Sequence, residues 1–283
     1  MSGAKPSQGD GPLGGAGDAR LLIRFFRHFG LRPDIAPERL LDSVVQAFAN
    51  LPYENLTKIL KSHEAGEPRA AKRAPAEVLA DHAAFGTGGT CFSLTATLLC
   101  LLRSLGWRAE PLLADRRYGE NTHCALVVWI DDRPHLVDPG YLIIQPVPLD
   151  MHAETRVATA FNELILTPQA GGDRLELATV SQGRRTYRLT FKTSPADEGE
   201  FVRAWDASFD WDMMRYPVLT RVRGGRQLYL QGGRFQTRCR DAVQRQELAP
   251  RELVGRIAAE FGIDPRIAAR ALAVLRRKGE PYG

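Results

Sequence analysis

The sequence has few of the features that place a protein in an extreme class: few cysteines, no long apolar run and little net charge. Cysteine occurs four times in 283 residues, too rarely to indicate the disulfide framework of a secreted domain. No apolar run approaches the roughly 18 residues of a membrane-spanning helix, and the net charge of +5 is too small to indicate a nucleic-acid surface. We therefore expect a cytoplasmic protein with reduced thiols and neither a membrane nor a nucleic-acid partner.

The start of the chain is rich in glycine and polar residues and poor in apolar ones. It has no charged segment followed by an apolar stretch, which is the pattern of a signal peptide. So little apolar surface cannot offset the entropy cost of ordering the chain. We therefore predict a disordered leader over residues 1–18.

The usual spacings of metal ligands are also missing, because no CxxC or HxxxH pattern occurs in the chain. Cys91, His123, Cys124 and His135 could in principle form a tetrahedral zinc site. Residues 123 and 124 are neighbours on a predicted strand, however, and neighbouring strand residues point to opposite faces. We expect no metal site.

Apolar periodicity is the clearest positive signal. It predicts a helix from Ala19 that stops at Gly30, a second helix over 37–49, a short one over 76–82 and a buried one from Cys91 to Gly106. The polar, basic segment 61–75 contains two prolines and predicts a surface loop. Strands are predicted over 123–130, 135–140, 186–191 and 227–231, and two helices over 251–263 and 265–278. Helices come first, strands follow and the C-terminal part is mixed, an order that indicates an α+β fold.

Cys91 is the first candidate for a chemical role. Three of the five residues before it are glycines, and a helix begins directly after it. Glycines permit a tight turn and close approach of a ligand to the backbone. The free N–H groups and the dipole at a helix N-terminus stabilise a thiolate and an oxyanion. This setting favours Cys91 as a nucleophile, whereas Cys100 lies inside the apolar helix and is interpreted as a core residue.

His123 and Asp138 supply the other two parts of a nucleophilic site. His123 begins a buried strand, and Asp138 ends the next strand directly before a Pro-Gly pair. With Cys91 they provide nucleophile, base and orienting carboxylate in chain order. If DDRP closes a regular hairpin, Asp138 is expected to pair near Val127. A bulge or an altered register is then needed to bring the carboxylate to the imidazole.

Four ordered motifs resemble those of the arylamine N-acetyltransferases. The segment from Pro52 to Leu56 is similar to the Pro-Phe-Glu-Asn-Leu segment of that family, and GGTCF over 88–92 to its nucleophile motif. THCALVV over 122–128 resembles its Thr-His strand, LVDPGY over 136–141 its Val-Asp segment, and 251–263 its closing helix. The resemblance spans about residues 20–265.

The resemblance implies a three-part architecture: a helical bundle over 19–106 that carries the nucleophile, a β-barrel over 107–205 and an α/β lid with C-terminal helices over 206–283. It also implies ping-pong transfer of an acetyl or acyl group from a thioester to a small amine. The thioester is acyl-CoA or carrier-bound, so an acyl carrier protein is a possible partner. No cofactor is expected to stay bound. Cys91, His123 and Asp138 fall at the positions of the family's catalytic triad.

Three positions near Cys91 depart from the family pattern, with Thr87 in place of Arg, Ser93 in place of Glu and Thr95 in place of Asn. These changes predict an altered acyl donor and leave the donor-binding residues unassigned. Two other readings of the same residues are a transglutaminase-like cysteine hydrolase and a catalytically retired binding protein. Three aromatic residues are candidates to line a pocket, although ordinary packing is the favoured explanation for each: Tyr118, Tyr141 and Phe209.

Overall fold

Five helices form the N-terminal part of the protein. The structure is a computed structural model that describes residues 18–240 and 242–282, so residues 1–17 of the predicted leader lie outside the described part. Asp18 is the N-cap of the first helix, and Gly30 ends it with a left-handed φ of 65°. The helices are α1 (Ala19–Phe29), α2 (Pro37–Phe48), α3 (Leu56–Glu64), α4 (Pro75–Phe85) and α5 (Cys91–Ser104). The predicted helices are confirmed, with shifts of a few residues at some ends.

The predicted surface loop over 61–75 is wrong in part. Its first residues continue helix α3 to Glu64, a 3₁₀ turn follows over Pro68–Ala71, and Arg73 is only 3% exposed. Polar composition normally indicates exposure, but a buried carboxylate elsewhere in the fold provides a partner for Arg73. That partner is distant in sequence and could not be identified from the loop itself.

Eight antiparallel strands form the central part, in the order β5-β4-β3-β2-β9-β8-β7-β6. One buried cluster takes apolar side chains from seven of them, and Val157 of the eighth packs against it. A shared interior of this kind is typical of a sheet curved into a nearly closed barrel. The strands are β2 (Ala109–Arg116), β3 (Gly119–Ile130), β4 (Arg133–Asp138), β5 (Ile143–Pro148), β6 (Thr155–Ala158), β7 (Glu163–Pro168), β8 (Arg174–Ser181) and β9 (Arg184–Lys192).

A second antiparallel sheet joins the two ends of the chain. Its order is β1-β10-β11-β12-β13, so the short strand β1, which precedes helix α3, pairs with the C-terminal part. Helices α3 and α8 share its buried cluster. The elements are β1 (Tyr53–Glu54), α6 (Glu198–Ala207), β10 (Val218–Arg223), β11 (Arg226–Gln231), β12 (Arg234–Arg238), β13 (Val243–Glu247), α7 (Pro250–Arg256, extended by a π turn over Ile257–Phe261) and α8 (Pro265–Arg277).

The α+β class and its helical, barrel and mixed α/β parts are confirmed. The boundaries predicted at residues 106 and 205 stay predictions. None of the helices in the described ranges combines the length and the apolar character needed to cross a bilayer.

Candidate active site

Two backbone segments meet beside Cys91, and glycines make the contact possible. The Glu54 N–H donates to the Gly89 carbonyl over 2.9 Å, and the Gly89 N–H donates to the Pro52 carbonyl over 3.3 Å. A Cβ atom on Gly88 would lie 1.9 Å from the Pro52 carbonyl oxygen, closer than any side chain permits. The glycine-rich sequence is therefore needed to seat the start of helix α5 against strand β1.

Cys91 is the first residue of helix α5 and is 2% exposed. Thr90, the N-cap residue, makes no side-chain hydrogen bond to the helix. The N–H groups of the first turn have no partner within an α-helix, and the helix dipole places partial positive charge there. The Cys91 sulfur therefore lies where negative charge is stabilised.

His123 and Asp138 meet because of the turn between strands β3 and β4. Ile130 pairs with Arg133, so the turn contains only Asp131 and Asp132, and both have left-handed φ values of 48° and 57°. This is the geometry of a tight two-residue hairpin. The four-residue DDRP turn expected from the sequence is wrong, because a pair of aspartates can adopt the conformation more often found in Asn-Gly.

The tight turn changes the strand register. Leu126 pairs with Val137, so the register places Asp138 opposite Ala125 rather than near Val127, as the sequence had suggested. Residue 125 is two positions from His123, and residues two apart share a face of a strand. Asp138 is therefore a diagonal neighbour of His123 on the same face.

The His123–Asp138 contact is short and completely buried. Nε2 of the imidazole lies 2.6 Å from Oδ2 of the carboxylate, and both side chains are 0% exposed. The backbone N–H of Tyr141 donates to the other carboxylate oxygen over 2.8 Å. Burial disfavours an imidazolium, but the charge and hydrogen bond of Asp138 outweigh it and raise the pKa of His123 to about 9.

The Cys91 thiol is acidic in this setting. A hydrogen bond with Cys124 is the largest cause of its lowered pKa; burial opposes this effect, and the hydrogen bond and charge of His123 add to it. Burial raises the pKa of Cys124, which keeps that residue protonated as a donor. The three predicted side chains thus lie together, with Cys91 and His123 suited to form a thiolate–imidazolium pair.

Arg116 and Cys124 also belong to the site, and sequence reasoning did not identify either. The Arg116 Nη2 atom lies 3.2 Å from Nδ1 of His123, and its Nη1 atom donates to the Tyr118 hydroxyl over 3.0 Å. Arg116 ends strand β2. Cys124 was considered only as a possible zinc ligand, which its position next to His123 on the strand argued against, and was given no role toward the Cys91 thiol.

Arg73 supplies the cation that the family motif places at residue 87. Its Nη1 atom donates to the Gly88 carbonyl over 2.6 Å and to the Thr57 hydroxyl over 2.8 Å, and lies 3.9 Å from Glu54 Oε1. Thr87 is buried, and its hydroxyl has no partner among the described residues. The segment before the nucleophile thus has a buried arginine beside it, contributed by another part of the chain.

Short hydroxyl side chains, Ser93 and Thr95, occupy the other two positions that depart from the family pattern. The Ser93 hydroxyl donates to the Thr90 carbonyl over 3.1 Å. The Thr95 hydroxyl donates to the backbone carbonyl of Cys124 over 3.4 Å and lies 3.4 Å from its sulfur, which ties strand β3 to helix α5 one turn after Cys91. Both substitutions are accommodated by local hydrogen bonds without an unpaired charge.

The three aromatic candidates occupy different positions. The Tyr141 ring meets the His123 ring edge-on at 6.3 Å, and Tyr118 is 69% exposed beside Arg116. Phe209 is buried and packs under the Lys58 ammonium at 4.1 Å. Tyr118 and Tyr141 therefore flank the site. Within the described residues, no group of three or more His, Cys, Asp or Glu side chains is arranged to hold a metal ion.

Comparison with known proteins identifies the family of the chain. A sequence model of a family described as N-acetyltransferase matches residues 38–269. The match covers well over half of the chain, so the protein belongs to this N-acetyltransferase family and is an acyltransferase. The resemblance to arylamine N-acetyltransferases inferred from the sequence motifs is confirmed. A comparison with curated protein sequences finds no significant match.

Solved structures show the same fold. The arylamine N-acetyltransferase of Mycobacterium abscessus is 19% identical, with a TM-score of 0.75 over 90% of this chain and 94% of that chain. The enzyme of Nocardia farcinica is 22% identical, with a TM-score of 0.75 over 90% and 95%. An arylamine N-acetyltransferase of Bacillus cereus, described as having a unique Cys-His-Glu catalytic triad, is 14% identical with a TM-score of 0.69 over 87% and 100%.

Proposed function

We propose that this acyltransferase moves an acyl group from a thioester, such as acyl-CoA, to a small-molecule amine by a ping-pong mechanism. Cys91 is the nucleophile, His123 the base and Asp138 the orienting carboxylate. The observation that carries the proposal is the buried 2.6 Å contact of His123 with Asp138, beside an acidic thiol at a helix N-terminus. Membership of an N-acetyltransferase family supports it.

In the first half-reaction, the Cys91 thiolate attacks the thioester carbonyl carbon and the carbonyl electron pair moves to oxygen. The resulting oxyanion is stabilised by the free N–H groups of the first turn of helix α5. The intermediate collapses to acyl-Cys91, and the donor thiolate leaves with the proton of the His123 imidazolium. His123 is then neutral.

In the second half-reaction, the amine attacks acyl-Cys91 and gives a proton to the neutral His123. Collapse of this intermediate forms the amide and returns Cys91 as a thiolate beside the imidazolium. Asp138 holds the ring so that Nδ1 receives the proton, and its charge stabilises the imidazolium. The burial of Cys91 and His123 limits access of water, which favours transfer over hydrolysis.

Steady-state kinetics test the proposed mechanism. With acyl-CoA and amine varied together, a ping-pong enzyme gives parallel double-reciprocal lines and forms one amide for each free CoA. Release of free acid without amide would indicate a cysteine hydrolase, and no turnover with any thioester would indicate a binding protein. An acyl carrier thioester belongs in the same panel, although the comparisons give no support for a carrier partner.

A further inference from the structure

Arg116 lies on strand β2 and contacts His123, the proposed catalytic base on strand β3, while Asp138 contacts it from strand β4. Ala114 pairs with His123, and Arg116 is two residues further along strand β2, so its side chain shares the face of His123. Strand β3 has an irregular register here, with Asn121 at a φ of 53°. Irregularities of this kind re-aim side chains at a sheet rim.

No carboxylate in the described part of the chain pairs with the Arg116 guanidinium. Among the described residues no ion pair includes it, and its Nε atom is buried without a hydrogen-bond acceptor. By contrast, the buried Arg73 donates to Asp81 over 2.7 Å. Asp115 precedes Arg116 but contacts Arg174 and the backbone of Asn121 instead.

A partly desolvated guanidinium without an anion is energetically unfavourable, and its planar fork matches a carboxylate in a bidentate geometry. The groups that interact most strongly with its charge are tyrosine hydroxyls and the nucleophile. The charge of Arg116 acts on Tyr53, Tyr229 and Cys91, and Tyr118 is its hydrogen-bond partner. This position suits the carboxylate of a substrate whose body lies between tyrosine rings.

We propose that Arg116 binds a carboxylate group of the substrate, carried either by the acyl group of the donor or by the amine acceptor. The inference rests on the proposed acyl-transfer function. It assigns a specificity residue for that reaction and a chemical class of substrate.

Carboxylate binding would also act on the base. A guanidinium can only donate, so its contact with Nδ1 requires that nitrogen to be unprotonated. Arg116 and the proton of Cys91 therefore compete for the same atom. A substrate carboxylate that binds the Arg116 guanidinium leaves Nδ1 of His123 free to hold the proton from Cys91. It also neutralises a positive charge that disfavours the His123 imidazolium.

The test compares substrates in matched pairs for wild type, Arg116→Gln and Arg116→Lys. The donor pair is malonyl-CoA and butyryl-CoA with one amine, and the acceptor pair is 4-aminobenzoate and 4-aminobenzamide with one donor. Arg117→Gln is the matched control, because Arg117 is the next residue and is exposed over the Tyr187 ring.

We expect wild type and Arg117→Gln to prefer the charged member of one pair by roughly tenfold to hundredfold in kcat/KM. Arg116→Gln should reduce that preference to near unity, mainly through the charged member. Arg116→Lys should keep an intermediate preference. The pair that responds shows whether the carboxylate belongs to the donor or to the acceptor.

An equal loss for charged and neutral members in Arg116→Gln would overturn the proposal and assign Arg116 to positioning His123 alone. Calorimetric binding of 4-aminobenzoate, 4-aminobenzamide, malonyl-CoA and butyryl-CoA to Cys91→Ala, with and without Arg116→Gln, separates this inference from the proposed function. If no substrate is turned over but carboxylate binding depends on Arg116, the proposed acyl-transfer function is contradicted and the carboxylate site is supported. If neither turnover nor binding prefers the carboxylate-bearing compound, the proposed carboxylate site is contradicted.

Discussion

Asp138 lies diagonally across two antiparallel strands from His123, with its Oδ2 atom 2.6 Å from Nε2 of the imidazole. The relationship depends on the two-residue turn at Asp131 and Asp132, which sets the register of strands β3 and β4. One more or one fewer residue in the turn would move the carboxylate to the other face of the sheet. A surface turn thus determines the geometry of a buried site.

Replacing Asp138 with Asn tests the orienting carboxylate. The amide keeps the size of the side chain but removes the charge that raises the pKa of His123. We expect kcat/KM to fall by roughly 10²- to 10⁴-fold, while far-UV circular dichroism stays unchanged. A loss below about threefold would show that the pair is structural.

Cys124→Ala tests the hydrogen bond that contributes most to the acidity of Cys91. A thiolate reacts with iodoacetamide and a thiol does not, so the rate against pH reports the pKa. In wild type we expect the midpoint well below the free-cysteine value of about 8.5, with the rate falling only as the pH drops through it. Cys124→Ala should move the midpoint upward and Cys100→Ala should not. An unchanged midpoint in Cys124→Ala would contradict this role.

The Arg73–Glu54 pair should stabilise the fold by more than a surface pair. Arg73→Met leaves the Glu54 carboxylate buried without its cation, and we expect a loss of about 3–5 kcal/mol in the free energy of unfolding. Arg32→Gln, which removes an exposed partner of Asp34, should leave the free energy of unfolding nearly unchanged. Urea unfolding measures both, and similar losses would contradict the account.

Replacing Gly88 and Gly255 with alanine should change the free energy of unfolding in opposite directions. Gly88→Ala places a Cβ atom 1.9 Å from the Pro52 carbonyl oxygen, so we expect a loss of about 3 kcal/mol or more. Gly255, in helix α7, has no atom of the described residues within 4 Å of that position, and alanine there should stabilise the helix by up to about 1 kcal/mol. A Gly88→Ala protein as stable as wild type would show that the two loops can separate.

Much of the fold follows from local pattern. Most of the helices, the strands on either side of DDRP and the glycines before Cys91 are visible in the sequence, because periodicity and backbone freedom act over a few residues. Helices α3 and α6 were not predicted. The register of strands β3 and β4 could not be read from the sequence, since it depends on the conformation of Asp131 and Asp132. Arg73 and Arg116 were missed because their burial depends on how separate helices and strands pack around them, which a local sequence pattern does not show.

The most direct test of the central claim is mass spectrometry of the protein after brief exposure to an acyl-CoA without amine, followed by peptide mapping. The account predicts one acyl group per chain, located on Cys91, which disappears on addition of an arylamine as the corresponding amide forms. Cys91→Ala should take up no acyl group, and Cys100→Ala should behave as wild type. An adduct on another residue, or amide formation by Cys91→Ala, would contradict the assignment of Cys91 as the nucleophile.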